Sequence, residues 1–323
     1  MKIFITGATG VLGRRAIPAL LAQQHAVTAA GRPSPRLEAL ARLGAAAVAL
    51  DLFDLGAAAR AMRGHDVVIN LATHVPSNAR MFLPGAWKEM DRIRRDGSRT
   101  LVDAAINAGI ERFVQESFAP IYPDSGDEWI TEQTPVNAAR YNRTVLDAEA
   151  STARFARAGG TAVVLRFGLL YGPGDAFARS IVDGVQRGWM PLFGRREAFL
   201  ALVTQDDAAA AVVAAVGTPG GIYNVVDDEP LRRGDLANTL AGMLGVPAPR
   251  FLPPWIAALA GSLGETIARS LRVSNRKLRE ASGWAPHYQS AREGFRAVVD
   301  TLQRERTTAH PTPGTRSHGV PER

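Results

Sequence analysis

Short apolar runs alternate with helical patterns of hydrophobic and polar positions through the first half of the chain. Six short runs have the pattern of buried strands, and most of them are largely apolar: residues 2–6, 26–31, 46–51, 66–72, 112–117 and 161–167. Helical periodicity lies between or beside them: residues 14–23, 35–43, 55–62, 93–108 and 141–157. Because strands that are buried on both faces have continuous apolar sequences, this alternation predicts an α/β fold, a doubly wound parallel sheet covered by helices on both sides.

The pattern is more broken in the second half of the chain. A Gly/Pro turn cluster, GLLYGPGD, begins at residue 168, and shorter strand and helix patterns follow it. We therefore predict a first domain over residues 1–167 and a small C-terminal α/β substrate lobe over residues 168–303, interleaved with the last strands of the sheet. The polar, Pro-rich end of the chain, residues 304–323, is predicted to be a disordered tail.

A glycine-rich loop, TGATGVLG at residues 6–13, joins the first strand to the first helix. Gly7 permits a tight turn, Gly10 lets a pyrophosphate approach the backbone, and Gly13 allows close packing of helix and strand. The helix N-terminus offers unpaired N–H groups and the positive end of its dipole to phosphates. The sequence therefore predicts a nucleotide site whose loop residues are Gly7, Thr9, Gly10, Val11, Leu12 and Gly13.

The residues after the second strand indicate which dinucleotide is bound. An acidic side chain there would accept the ribose hydroxyls of NAD, but the sequence is AAGRPSPR, without an acid. Arg32 offers a planar cation suited to a 2′-phosphate, which favours NADP(H) over NAD(H); the alternative is that Arg32 is a solvated loop residue. Asp51, after the third strand, is placed to accept from the adenine amino group, or it is simply a helix N-cap.

Several motifs resemble the extended short-chain dehydrogenase/reductase superfamily, the branch of NAD(P)-dependent epimerases and dehydratases. They are TGATGVLG, LDLFD at 50–54, INLAT at 69–73, DGSRTLVDAAINAGIERFV at 96–114, LRFGLLYGPGD at 165–175, TQDDAAAA at 204–211, YNVVDDEPL at 223–231 and SGWAPHYQSAREGF at 282–295. The resemblance implies a Rossmann-type domain, a small-molecule substrate and a homodimer packed through two long helices. It also implies further cofactor contacts at Leu52, Leu71, Ala72, Thr73, Tyr141 and Phe167.

The resemblance implies a catalytic set of Ser or Thr, Tyr and Lys, with Tyr and Lys four residues apart. Tyr141 matches the Tyr, but Val145 stands at the Lys position, and no lysine lies between Lys88 and Lys277. A nearby cation would stabilise phenolate, so without one we expect Tyr141 to keep a pKa near its reference of about 10. Tyr141 is then a hydrogen-bond donor and a poor base at neutral pH.

The Ser/Thr position of this catalytic set is also altered. Counted back from Tyr122, it falls on Phe118, and Ser117 is its neighbour. Successive residues of a strand point in opposite directions. Either Ser117 faces away from the cofactor, or a local difference in the loop brings it to the site. The candidate catalytic residues are therefore Tyr141 and Ser117.

Residues predicted to cover the cleft suggest an apolar or aromatic substrate as readily as a sugar. His74 follows the fourth strand and could replace a missing acid/base group near neutral pH. The predicted substrate contacts are His74, Phe118, Tyr122, Trp129 and Trp189. Core packing is the alternative for each aromatic residue. No His, Asp or Glu cluster has metal-ligand spacing, and cysteine is absent, so we expect no metal.

Composition narrows the possible partners and location. The net charge is +7 and nearly all basic residues are arginines, but no basic run interleaved with aromatics suggests nucleic acid. We expect no membrane span and no signal peptide, because apolar windows are too short and the N-terminus lacks a charged region before an apolar stretch. The expected location is the cytoplasm.

Two functional hypotheses remain open from the sequence. The first is an NADP-dependent oxidoreductase or epimerase that acts on a carbonyl or hydroxyl of a sugar-like or polyketide-like molecule, with Tyr141 as proton donor. The second is a non-redox protein that retains the nucleotide site, either a lyase- or cyclase-type catalyst or a cofactor-sensing regulator. The loss of the family Lys and Ser/Thr favours the second hypothesis, whereas the surviving glycine loop and Tyr141 favour the first.

Overall fold

A seven-stranded parallel sheet forms the centre of the protein, and the computed structural model describes residues 1–77, 80–83, 85–253 and 255–309. The strands are β1 (Lys2–Thr6), β2 (Ala26–Gly31), β3 (Ala46–Ala49), β4 (Val67–Asn70), β5 (Arg112–Phe118), β6 (Trp129–Ile130), β7 (Thr161–Phe167), β8 (Leu169–Tyr171), β9 (Trp189–Met190), β10 (Leu202–Thr204), β11 (Gly221–Val225), β12 (Arg250–Phe251) and β13 (Arg272–Val273). The central order is β3-β2-β1-β4-β5-β7-β11. The predicted Rossmann-type doubly wound class is confirmed.

Helices cover both faces of this sheet and build the second lobe. They are α1 (Gly13–Ala22), α2 (Pro35–Arg42), α3 (Leu55–Met62), α4 (Lys88–Arg92), α5 (Ser98–Asn107), α6 (Val145–Arg157), α7 (Ala176–Gln186), α8 (Gln205–Ala214), α9 (Arg233–Leu244), α10 (Ile256–Leu259), α11 (Gly261–Ala268), α12 (Arg276–Ser282) and α13 (Ala291–Ala309). Within the described ranges, no helix is long and apolar enough to cross a membrane.

Alternation along the strands divides the core between the two faces of the sheet. In β1, Ile3 and Ile5 pack into the cluster that includes α1 and α8, whereas Phe4 between them packs with residues of α3 and α5. All three side chains are fully buried. Both faces of β1 are therefore dry, which explains the mostly apolar sequence of this strand.

The second lobe has its own core of residues from α7, α9 and α13. Its short strands pair in parallel, β8 with β10, β9 with β12 and β6 with β13. Helix α13 continues to Ala309, so residues 304–309 are helical although the sequence assigned them to the tail. Residues 310–323 of that predicted tail lie outside the described residues.

The structure over residues 93–108 differs from the single long helix that the sequence predicts. Helix α4 leads into a π-helical turn at Ile93–Gly97, and only then does α5 begin. A Cβ at Gly97 would lie 2.7 Å from Leu52 Cδ1, so the close approach of this turn to the loop after β3 favours glycine. Arg94, on the same turn, is 6% exposed. The wide turn therefore carries a buried cation, and π-turns are frequent at functional sites.

Candidate active site

The glycine loop between β1 and α1 packs directly against the residues that follow β4. Gly7 has φ +69°, and a Cβ on it would lie 2.3 Å from the carbonyl carbon of Leu71. A Cβ on Gly13 would lie 2.4 Å from the oxygen of Ala8. The Gly10 N–H donates to the oxygen of Gly7 at 2.9 Å, which closes the turn. These contacts fit a loop that binds a dinucleotide. A side chain at Gly7 or Gly13 would clash with the neighbouring backbone and force the loop open.

The N-terminus of α1 is suited to an anion. The helix begins at Gly13 with no side-chain cap and no acidic residue in its first turn. Val11 is exposed and Thr9 is half-buried, whereas Leu12 is buried in the core. The unpaired backbone N–H groups of this end and its positive dipole are the groups that would hold the pyrophosphate of a dinucleotide.

The residues expected to hold the adenosine end are open to solvent. Arg32 is exposed, and nothing lies within 4 Å of a Cβ built on Gly31. Asp51 is also exposed, and its carboxylate accepts from the Phe53 N–H at 3.0 Å. Asp51 is not the helix N-cap of the alternative interpretation, since Asp54 caps α3 by accepting from the Ala57 N–H at 2.9 Å. The Asp51 carboxylate keeps acceptor capacity for an adenine amino group.

A buried polar network, missed by the sequence reasoning, ties together the ends of the three central strands. Thr6 Oγ1 donates to Asn70 Oδ1 at 2.7 Å, and Asn70 Nδ2 donates to Gln115 Oε1 at 2.9 Å. The same Asn70 oxygen accepts from the Ala72 N–H at 3.2 Å. Because each polar group has a partner, the network holds β1, β4 and β5 in register and positions the Leu71–Ala72 backbone against Gly7.

The remaining predicted cofactor and cleft residues around β4 and β7 differ in exposure. Leu71 and Ala72 are buried, whereas Thr73 and His74 are exposed. The His74 backbone N–H points to Met90 Sδ at 3.5 Å. Leu52 is half-buried beside the π-turn. Phe167 ends β7, pairs in register with Phe118, and is 2% exposed in the core.

Tyr141 lies in a one-turn 3-10 helix, Arg140–Asn142, and α6 begins only at Val145. Its ring packs edge-on against Trp87, with 5.0 Å between the ring centroids. Burial raises the pKa of Tyr141 to about 12, and the cations of Arg94 and Arg269 offset only part of that rise. The expected pKa near 10 is therefore wrong, because desolvation was left out. Tyr141 stays a neutral phenol, which can donate a hydrogen bond and is a very weak base.

Ser117 is turned into the interior of the protein. Its side chain is fully buried, and its hydroxyl donates to Glu149 Oε1 at 2.6 Å. Glu149 also accepts two hydrogen bonds from Arg166, Nε to Oε1 at 2.8 Å and Nη2 to Oε2 at 2.7 Å. The catalytic prediction for Ser117 is therefore corrected: alternation along β5 directs this hydroxyl to a buried ion pair under α6.

Tyr122 belongs to the same interior network rather than to a substrate pocket. The side chain of Tyr122 is fully buried. Its hydroxyl accepts a hydrogen bond from Arg166 Nη1 at 2.8 Å and donates one to Asn224 Oδ1 at 2.9 Å. This placement corrects its prediction as a substrate contact, since both the donor and an acceptor position of the hydroxyl are already used.

A small cavity, partly open to solvent, lies between the sheet edge and the second lobe. Its wall is mostly apolar and is formed by Phe118, Pro120, Tyr141, Leu169, Phe199, Leu200, Ala201, Arg233, Thr266, Ile267, Arg269 and Leu271. Of the residues predicted to contact substrate, Phe118 lines it, together with Tyr141. Parallel strands direct their carboxyl ends to one edge, so the cavity and the glycine loop share that edge of the sheet.

The two predicted tryptophans do not line this cavity. Trp129 is 48% exposed and has the Arg272 guanidinium 4.2 Å from its ring centroid. Trp189 is 47% exposed on β9, which pairs with β12 in the second lobe. The prediction that both residues contact substrate is therefore corrected for the cavity that contains Tyr141. The short β-strand pairs of the second lobe place both tryptophan rings on outer surfaces.

Four charged residues around the site were missed by the sequence reasoning. Glu116, on β5, is within 3.9 Å of Arg94, and burial raises its pKa to about 7. Arg269 Nη1 donates to the carbonyl oxygens of Pro120 and Tyr122 at 3.3 and 2.7 Å. Arg233 is 1% exposed. No sequence motif could have indicated these four residues, because they come from distant segments of the chain.

In the described part of the chain, no cluster of His, Cys, Asp or Glu side chains is suited to a metal ion.

Comparisons with known proteins agree with this geometry. Residues 3–225 match the NAD dependent epimerase/dehydratase family. The chain is 33% identical, over 91% of its length and 99% of the relative, to a 3-diazoavenalumate denitrifying reductase of a Streptomyces species. It is 27% identical, over 84% of its length and 82% of the relative, to a 4-hydroxy-2-methyl-3-oxo-4-farnesyl-3,4-dihydroquinoline-1-oxide ketoreductase of Stigmatella aurantiaca. The fold is similar to the human epimerase family protein SDR39U1 (isoform 2) with NADPH, at a TM-score of 0.77, 20% identity and coverage of 93% and 99% of the two chains.

Proposed function

The chain belongs to the NAD dependent epimerase/dehydratase family, and from that premise we propose that it is an NADP(H)-dependent reductase of a small, largely apolar molecule bound beside Tyr141. The observation that carries the proposal is the cavity: Tyr141 shares it with Phe118, Phe199 and Leu271, and it opens at the sheet edge that carries the glycine loop. An apolar wall disfavours a sugar, whose hydroxyl groups need polar partners.

The residues of this chain divide the work between binding and orientation. The 6–13 loop and the N-terminus of α1 would hold the pyrophosphate, and Arg32 would hold the 2′-phosphate. When bound, the reduced nicotinamide supplies a hydride. Tyr141, held neutral by burial, donates a hydrogen bond to the oxygen of a carbonyl acceptor and releases its proton to that oxygen as negative charge develops there.

A second acceptor is favoured by the replacement of two of the three catalytic groups that the family resemblance implies. Val145 replaces the lysine, Phe118 occupies the Ser/Thr position, and Ser117 is bound to Glu149. Reduction of a diazonium group takes up one hydride, releases dinitrogen and leaves a C–H bond, so no alkoxide has to be protonated. The Streptomyces relative is named for a reaction of this kind, a denitrifying reduction of a diazo compound. We therefore propose an aromatic diazo group as the alternative acceptor.

The choice of dinucleotide is tested by replacing Arg32 with serine. We expect the wild-type protein to bind NADPH more tightly than NADH, and Arg32→Ser to weaken NADPH binding about tenfold, as expected for loss of one charge-assisted contact at an open site. NADH affinity should be unchanged, and titration calorimetry measures both. Arg42→Ser, which removes the same charge at the other end of α2, should behave as wild type. Equal wild-type affinities for the two dinucleotides would refute the assignment of Arg32.

The part played by Tyr141 is tested by Tyr141→Phe. For a carbonyl substrate we expect kcat to fall about 10- to 100-fold, the effect of one hydrogen bond to a charge-bearing oxygen, with NADPH binding unchanged. For a diazo substrate the loss should be less than about threefold. Because the pKa of Tyr141 is raised to about 12, its ionisation should not reduce kcat between about pH 8 and about pH 10.

Tyr223→Phe is the matched control for this experiment. It removes the hydroxyl that donates to the carbonyl oxygen of Pro219 at 2.9 Å, outside the cavity. It should leave kcat unchanged for both substrate classes. An unchanged kcat of Tyr141→Phe on every carbonyl substrate would rule out Tyr141 as the proton donor.

A further inference from the structure

Arg233, the first residue of α9, is a buried cation that lacks a full set of partners. Its side chain lines the cavity and is 1% exposed. Its Nη2 donates to the carbonyl oxygens of Ile267 and, at 2.9 Å, of Arg269. Its Nε and Nη1 have no hydrogen-bond partner among the described residues. One edge of the guanidinium thus holds the end of α11, while three N–H protons on the other nitrogens remain unused.

The surroundings do not neutralise this charge. The acid whose charge acts on Arg233 is Asp124, and its carboxylate is ion-paired with Arg195 at 3.3 Å. Burial lowers the pKa of Arg233 to about 10, which leaves the group fully cationic at neutral pH. A buried charge with unused donors is costly unless something supplies both an acceptor and a countercharge. An anionic ligand in the cavity would supply both.

We propose that Arg233 anchors a carboxylate of the substrate, and that the cavity takes a small aromatic or conjugated carboxylic acid. The aromatic part of such an acid would lie against Phe118, Phe199 and Tyr141, and its carboxylate would accept from Arg233. This inference rests on the proposed reductase function, since it names the substrate class of the same cavity.

A single buried guanidinium favours a compact singly charged anion over a nucleoside diphosphate. Arg269 is the other arginine of the cavity wall, and its Nη1 is used by the carbonyl oxygens of Pro120, Tyr122 and Asn137. A nucleoside diphosphate would bring two charges and a sugar against a mostly apolar wall. Of these two wall arginines, only Arg233 is fully buried with donors that lack an acceptor, so one carboxylate would meet the buried charge that needs a partner.

The test compares an acid with its neutral derivatives on the protein in the presence of saturating NADP⁺. Cinnamate, benzoate and phenylacetate are titrated against the wild type by calorimetry, together with their methyl esters and primary amides. We expect at least one acid to bind, and its ester and amide to bind about 10- to 100-fold more weakly, the usual effect of a charge-assisted hydrogen bond in a buried site. Arg233→Gln should remove the preference for the acid, and Arg233→Lys should restore part of it.

Arg195→Gln is the matched control, because it removes a positive charge beside Arg233 without touching the cavity wall. It should keep the preference for the acid. If no acid binds, if the ester binds as well as the acid, or if folded Arg233→Gln keeps the preference, the anchor is overturned. Should Arg233→Gln fail to fold, the comparison of acid with ester on the wild type still decides the question.

The same samples separate this inference from the proposed function. A wild-type protein that shows no preference for the acid, but binds NADPH and turns over neutral substrates, would reject the anchor and leave the reductase. Acid preference without NADPH binding would reject the reductase and leave an anion subsite.

Discussion

Replacing Arg166 with methionine is expected to lower the free energy of unfolding by about 3–5 kcal/mol, the cost of stranding a buried charge. The Arg166 and Glu149 side chains are only 5% and 11% exposed, with 2.7 Å between Nη2 and Oε2. Arg166 also donates to the Tyr122 hydroxyl, so the substitution leaves a buried carboxylate and a buried phenol with fewer partners. The midpoint of urea unfolding, compared at unchanged slope, measures the loss.

Two comparisons show whether burial causes the loss. The double variant Arg166→Met/Glu149→Leu removes both charges and should be closer to wild type than Arg166→Met alone. Arg95→Met breaks the exposed pair with Asp147, whose side chains are 57% and 48% exposed, and should cost less than about 1 kcal/mol. A loss of equal size for Arg95→Met and Arg166→Met would contradict the account of the buried pair.

Gly7→Ala is expected to abolish measurable NADPH binding. The residue sits at φ +69°, where a side chain costs about 1–2 kcal/mol on its own. In addition, the new Cβ would lie 2.3 Å from the backbone of Leu71, so the loop must move away from the end of β4. Because 1.4 kcal/mol is a factor of about ten in affinity, strain of this size corresponds to about 5- to 30-fold weaker binding, and displacement of the cradle adds to it. Titration calorimetry with NADPH measures the change.

Gly109→Ala separates backbone strain from loss of the cradle. Gly109 has φ +71°, almost the same as Gly7, but nothing lies within 4 Å of a Cβ built on it. It lies in the turn before β5, at the opposite edge of the sheet. Gly109→Ala should lose stability of about 1 kcal/mol and keep wild-type affinity for NADPH. Undiminished NADPH affinity in folded Gly7→Ala would show that this loop does not hold the dinucleotide.

Sequence reasoning located the strands better than the residues of the active site. Strands of the central sheet such as Lys2–Thr6 and Thr161–Phe167 were predictable because each lies between two layers of helices and has a largely apolar sequence. The helix before β5 was less predictable: its π-turn depends on the approach of Gly97 to Leu52, a contact between distant segments. Local periodicity does not contain such contacts.

The pKa of Tyr141 is a further property that depends on contacts between distant segments and not on local sequence. Sequence spacing correctly indicated that no lysine stands four residues after it, but the value near 10 was wrong because the pKa depends on the surroundings of the phenol. The cations whose fields reach Tyr141 are Arg94 and Arg269, which come from a π-turn before α5 and from the end of α11. Neither could be paired with Tyr141 from a motif.

The sequence by itself therefore determined the parallel α/β architecture, the glycine loop and the presence of Val145 four residues after Tyr141, because each depends on local spacing or on the identity of a single residue. Only the tertiary structure decided that Ser117 is bound to Glu149, that Tyr122 belongs to a buried network, and that Arg233 lines the cavity with donors to spare. The burial of a side chain and its hydrogen-bond partners depend on which distant segments meet. These two properties set the charge and reactivity of the side chain.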